Sequence, residues 1–211
     1  MQRTTITNFN RRSKIDVFIS FIVKNNSLLI IFLFLILGII FGSISEKIGI
    51  SFNEDEFLSF LSARQNKTFI NIFLNSFLNI LPFIAFSFFS GTCIQGFLIT
   101  PCIMFYKGFT LGSMLGFLYL NHAIYGIAFN CLIVVPSALV SSFALMLSLR
   151  ESFLFSLSIS KIVFPGKVLV KNMYQDFILF FKKQLIIVLL FIFSCFLDAL
   201  FSVSFIKYFN F

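Results

Sequence analysis

Few side chains in this sequence combine the type and the setting that chemistry needs. Lys107 and Asp198 stand inside long apolar runs, and the one histidine, His122, sits in a polar break between two of them. Four cysteines (Cys93, Cys102, Cys131, Cys195) lie singly in or beside apolar segments, with no C-x-x-C or Cys/His ligand spacing. Buried cysteine of that kind behaves as a small hydrophobe, so neither a disulfide framework nor a zinc site is expected. No G-x-S-x-G, H-E-x-x-H or P-loop signature is present. The acidic triplet Glu54-Asp55-Glu56 reads as a solvated face. The expectation is a chain with no catalytic constellation, no metal and no cofactor.

The two intramembrane charges carry the functional question, because an ionisable residue in a membrane span is a functional hypothesis by default. Lys107 lies about 9 Å past Pro101 along a helix, and its side chain points back toward the helix N-terminus. It therefore has two readings, a partner-binding or transport charge and a side chain that snorkels to the interface. Asp198 has a shorter side chain and sits past the middle of its run. Counting residues places the two about 12 Å apart along the membrane normal, which argues against a direct ion pair. Water near the outer interface, or a donor on another chain, is the expected partner of Asp198. His122 is expected to be exposed in a turn.

The elements that position these residues are dictated by composition. Of 211 residues, 59% are hydrophobic, 35 are Phe and only 11% are charged, and the mean hydropathy is +1.01. Globular chains carry about 25% charge. Five spans of about 20 residues each, with their loops, account for the length and leave no room for a soluble enzyme domain. The net charge of +8 sits at the ends of apolar runs, where it sets topology and does not mark a nucleic-acid partner. The fold class is thus all-α: one integral membrane domain over residues 1–211 with about five transmembrane helices and interfacial amphipathic helices.

In chain order, a basic leader (1–26) precedes a first span at about 27–45, expected to be retained and not cleaved as a signal peptide. An external loop (46–67) follows, with a short amphipathic helix around the acidic triplet. The second span, 69–90, carries Asn71, Asn75 and Asn79 at four-residue spacing, a polar face that must turn to other helices or water. Gly91 to Ile99 reads as an elbow. Thr100-Pro101 then supplies an N-cap and a first-position proline for the third span, 100–120. Gly108, Gly112 and Gly116 line one face of it, so that another helix backbone can approach closely. Leucine on that stripe should disrupt the packing, and alanine should be much milder. After Asn121-His122 a fourth span, 123–149, contains Pro136, which should kink it. A basic and apolar segment, 150–183, reads as an interfacial helix on an anionic leaflet. The fifth span is 184–206. The leader and the 150–183 segment hold most of the Lys and Arg, which predicts a cytoplasmic N-terminus and an external C-terminus.

The stretch from Gly96 through Lys107-Gly108, Gly112 and Gly116, followed by Val135-Pro136-Ser137, resembles the stage II sporulation protein M family. The specific likeness covers about 45 residues, and the general layout of leader, first span, external loop and last span extends it loosely along the chain. Where the family has amide side chains after the proline, this chain has Ser137 and Ala138. The resemblance implies a multi-pass protein of the bacterial cytoplasmic membrane, acting at the septal membrane during engulfment in sporulation. It implies a non-enzymatic scaffold that recruits peptidoglycan hydrolases of the stage II sporulation D and P type. Related proteins imply the alternative, a permease-like, immunity or export subunit acting on a peptide such as a bacteriocin. The residues expected to serve helix packing or partner binding are Lys107, Gly108, Gly112, Gly116, Pro136, Asn75 and Asp198. The expected partners are membrane lipids, other membrane proteins and a second copy of the chain, with no nucleic acid.

Overall fold

A computed structural model of the chain describes residues 26–49, 64, 67–163 and 173–206, apart from the side chains at 122–123 and 161–163. The basic leader up to residue 25, the acidic triplet and the His122 side chain lie outside the described residues. The fold is all-α and polytopic, with five helices long and apolar enough to cross a membrane. In order these are α1 (Asn26–Lys47), α2 (Phe69–Thr92), α3 (Gly96–Phe129), α4 (Val135–Val163) and α5 (Met173–Phe205). A π-helical turn, Asn130–Val134, joins α3 to α4. The third and fourth spans divide between Asn121 and Ile124, at the expected polar break. The chain doubles back there: Met114, Phe117 and Leu118 pack on Phe129, Ile133 and Val134, and Phe97 reaches Ser156.

The glycine stripe does what its spacing predicts, and its partner is α1. A Cβ on Gly112 would come within 2.7 Å of the Ile39 Cα, and one on Gly38 within 2.9 Å of the Phe109 nitrogen. A Cβ on Gly42 would stand 2.8 Å from the Ser113 nitrogen, while Gly108 faces Leu35 and Gly38. Two GxxxG segments, Gly38–Gly42 and Gly108–Gly112, thus meet backbone to backbone. The contacts advance together along both helices, so α1 and α3 run parallel. In lipid this closeness supplies the dispersion contacts and weak Cα–H···O bonds that hydrophobicity cannot.

Several boundaries differ from expectation. The Gly91–Ile99 elbow shrinks to Cys93–Gln95, because α3 begins at Gly96 with Gln95 as its cap residue. Thr100 is no cap: its hydroxyl donates to the Gly96 carbonyl at 2.6 Å inside the helix. The start is held from another helix instead. The Phe97 N–H donates to the Ser156 hydroxyl at 3.1 Å, which in turn donates to the Cys93 carbonyl at 2.8 Å, filling orphan groups of a helix end. Pro136 acts through the π turn just before it, where the Val135 N–H reaches the Asn130 carbonyl. The wider turn accommodates a ring that has no N–H and crowds the preceding carbonyls.

The 150–183 segment is not a separate interfacial helix where it is described. Its first part continues α4 to Val163 and its last part begins α5 at Met173. Arg150 and Glu151 do not end α4, because Glu151 pairs with Lys183 at 2.8 Å and with Arg150 at 3.4 Å. Beyond them Phe155 stacks on Phe180 with ring centroids 4.7 Å apart, and Phe180 stacks on Phe88. At this end α2, α4 and α5 share one aromatic layer.

The glycine contact yields a graded prediction. Alanine is not milder everywhere, since at Gly112 a methyl already meets Ile39 backbone, whereas at Gly116 the nearest atoms are 3.2–3.4 Å away. Gly112→Ala should lower stability by about 1–3 kcal/mol, the usual cost of overpacking, and Gly116→Ala, where the neighbours need give only slightly, should cost clearly less. Thermal unfolding of the detergent-solubilised chain reads both. Equal stability of the two variants would contradict the α1–α3 contact.

Candidate functional site

Asp198 on α5 is buried, 7% exposed, and its partners lie within the chain. Arg64, from the segment before α2, reaches it with an N–H donated at 2.7 Å. Ser76 of α2 donates to the same carboxylate oxygen, and Ser137 of α4 donates to the other at 3.2 Å. Expecting water or a second protein to satisfy Asp198 is therefore corrected. Arg64 is itself only 6% exposed, so a loop residue has been drawn into the bundle. One carboxylate now ties together α2, α4, α5 and the loop.

Beside this cluster lies a partly open cavity of about 1040 Å³, walled by α2, α3, α4, the π turn and α5. Asp198, Lys107 and Asn75 all line it, together with Arg64, Asn79 and Ser137. Three of the expected site residues are thus brought together. Lys107 lies about 16 Å from the start of α3 at Gly96, deeper than a count from Pro101 suggests. Its ammonium stands over the Phe83 ring, 4.9 Å from the centroid, a cation–π contact across to α2. Among the described residues no carboxylate lies within 4.0 Å of it; Asp198 pairs with Arg64 instead. The expected absence of a Lys107–Asp198 ion pair agrees with this geometry.

The other expected site residues fall elsewhere. Gly108, Gly112 and Gly116 face α1, which does not line the cavity. Their surface is consumed inside the chain. Pro136 stays outside the cavity wall but lies between Val134 and Ser137, which form part of it. Pro82, which has the same backbone defect, lines the cavity from within α2.

A second polar network holds the bundle below the cavity. The Ser87 and Ser148 hydroxyls are hydrogen-bonded to each other, and Ser152 donates to the Ser87 carbonyl at 2.7 Å. Ser148 also donates to the Gln184 Oε1 at 2.7 Å. The Gln184 amide in turn donates to the Ser148 carbonyl and the Ser152 hydroxyl, at 3.0 and 3.1 Å. Sequence reasoning missed this zipper. Its signal was present, since Ser137, Ser141, Ser148, Ser152 and Ser156 recur at helical spacing in an otherwise apolar run. All of these hydroxyls but that of Ser141, which donates to Ala138 in its own helix, reach other elements of a bundle that lipid alone would not hold together.

Chemically the site can hold, orient and neutralise charge. It contains hydroxyls, amides and a paired carboxylate. Among the described residues no group of three His, Cys, Asp or Glu side chains is placed to bind a metal. No family model, curated protein or solved structure matches the chain.

Removing one member of a buried ion pair leaves the other uncompensated, a loss of about 3–5 kcal/mol. Asp198→Ala should therefore destabilise strongly, and Arg64→Met alone should cost much of the same. The double variant Arg64→Met/Asp198→Leu should recover most of the loss. Thermal unfolding in detergent closes the cycle. Additive single and double effects would break the assignment of Arg64 as the counter-ion.

Proposed function

We propose that this chain is a non-enzymatic scaffold of the bacterial cytoplasmic membrane, acting as its resemblance to the stage II sporulation protein M family implies. In that role it gathers peptidoglycan hydrolases at the septal membrane during engulfment. The observation that carries the reading is the way the polar interior is used. Arg64, Asp198, Ser76 and Ser137 bind each other, and Ser87, Ser148, Ser152 and Gln184 do the same further along. Polar groups spent on fixing helices to one another make a platform. A carrier, by contrast, works by rocking one helical repeat against another, and the sequence has no internal repeat. The faces left over are apolar and exposed, among them Leu29, Phe41, Leu78, Phe86, Ile186 and Leu189, and they are available to lipid and to the spans of partners.

The second reading, a permease-like, immunity or export subunit for a peptide, is favoured by one observation, the cavity that holds Lys107. Charges in a membrane cavity commonly mark a pathway. Crosslinking in native membranes followed by affinity recovery separates the two. Recovery of cell-wall hydrolases supports the scaffold. Recovery of an ATP-binding subunit, together with peptide flux in liposomes that depends on this chain, would replace it with the permease reading.

The topology that belongs to this proposal has a cytoplasmic N-terminus and an external C-terminus, because Lys and Arg collect in the leader and the 150–183 segment. Reporter fusions after Asn66 and after Phe211 should report an external location, and one at Lys171 a cytoplasmic one. A cytoplasmic C-terminus would overturn the orientation.

A further inference from the structure

We propose that the cavity beside Lys107 is a binding site for a membrane phospholipid of net negative charge, admitted sideways between α2 and α3, with its phosphate against the Lys107 ammonium. This goes beyond the scaffold reading and does not depend on it. The first argument is charge. Of the charged groups on the cavity wall, Arg64 and Asp198 neutralise each other at 2.7 Å. Lys107 is left over, with the Phe83 ring as its described contact. A cation among hydrocarbon is costly unless an anion or water meets it, and among the described residues the cavity wall carries two cations, Arg64 and Lys107, against one carboxylate, Asp198.

The second argument is the company Lys107 keeps. Asn75, Asn79 and Tyr106 line the same cavity and offer neutral amide and hydroxyl groups. Among the described residues Asp198 is the one carboxylate on the wall, and it is already paired. Several donors around one cation suit a headgroup with several acceptor oxygens, which is the character of a phosphate.

The third argument is the entrance. Asn79 and Phe86 on α2, and Cys102 and Tyr106 on α3, line the cavity and are exposed. All four lie within the spans and away from their ends. The mouth therefore faces hydrocarbon, a route open to a lipid. The remaining wall is largely apolar, with Ile103, Leu111 and Met114 among its residues, and so can lie against a chain. The cavity volume of about 1040 Å³ stands at the upper end of the range for small-molecule sites.

The test is native mass spectrometry of the full chain in a neutral detergent, titrated with phosphatidic acid, phosphatidylcholine or inorganic phosphate. One phosphatidic acid should be retained per chain, about tenfold or more tighter than phosphatidylcholine, and inorganic phosphate should not displace it. Lys107→Met should weaken phosphatidic acid retention about tenfold or more, while Lys182→Met, at an exposed surface position, should leave it unchanged. Ile103→Trp fills the cavity without removing a charge and should also weaken retention; it decides the matter if Lys107→Met does not fold. Equal retention of both lipids, equal loss in Lys182→Met, or displacement by inorganic phosphate would each overturn the proposal. None of these outcomes bears on which proteins the chain recruits.

Discussion

A buried carboxylate sets the terms for one half of this bundle. Asp198 is buried on α5, and in a low-dielectric interior its charge must be met by protein groups at close range. The chain meets it with Arg64, Ser76 and Ser137, which come from a loop and two other helices. Once those bonds are required, the relative depth of α2, α4 and α5 is fixed and Arg64 must enter the bundle. The π turn ahead of Pro136 belongs to the same arrangement. It resets the register of α4 immediately before Ser137, whose hydroxyl serves both the Val134 carbonyl and Asp198.

The remaining helix contacts answer the same constraint in two other ways. On one side of α3 polar side chains are avoided and glycines bring the backbones of α1 and α3 together. Between α2, α4 and α5 the serines and Gln184 supply hydrogen bonds, and phenylalanines fill the layer beyond. Neither device relies on hydrophobicity, which does not favour helix over lipid. The cavity occurs where both give out, between α2 and α3. Here α2 carries Pro82 and α3 carries Lys107, and both line the gap.

The spans and the purpose of the glycine stripe were legible in the sequence because each depends on local pattern. A run of apolar residues has a length, and glycines four apart share a face whatever lies opposite. The partner of the stripe was not identified from the sequence, although Gly38 and Gly42 repeat the spacing in the first span. The ends of the helices were not. The start of α3 is held by Ser156, and the continuation of α4 past Arg150 depends on Lys183, residues far away in the chain. Asp198 was misjudged for the same reason. Its counter-ion comes from a loop whose arginine looks like any solvated charge until the fold places it.

Lys107 is the instructive contrast with Asp198. Both are charges in apolar runs, and counting alone treats them as a pair or as two open sites. The bundle satisfies Asp198 with three donors from the chain itself and gives the Lys107 ammonium an aromatic face. The difference follows from how each element is held. Asp198 lies on α5 where α2 and α4 both press against it, so hydroxyls from two helices arrive within reach. Lys107 lies where α2 offers it the Phe83 ring, on the wall of a cavity that stands where another helix would have brought an acceptor. A carboxylate enclosed by donors is a fastening. An ammonium on a cavity wall, over an aromatic ring, is a charge that the described residues do not answer with a carboxylate of its own.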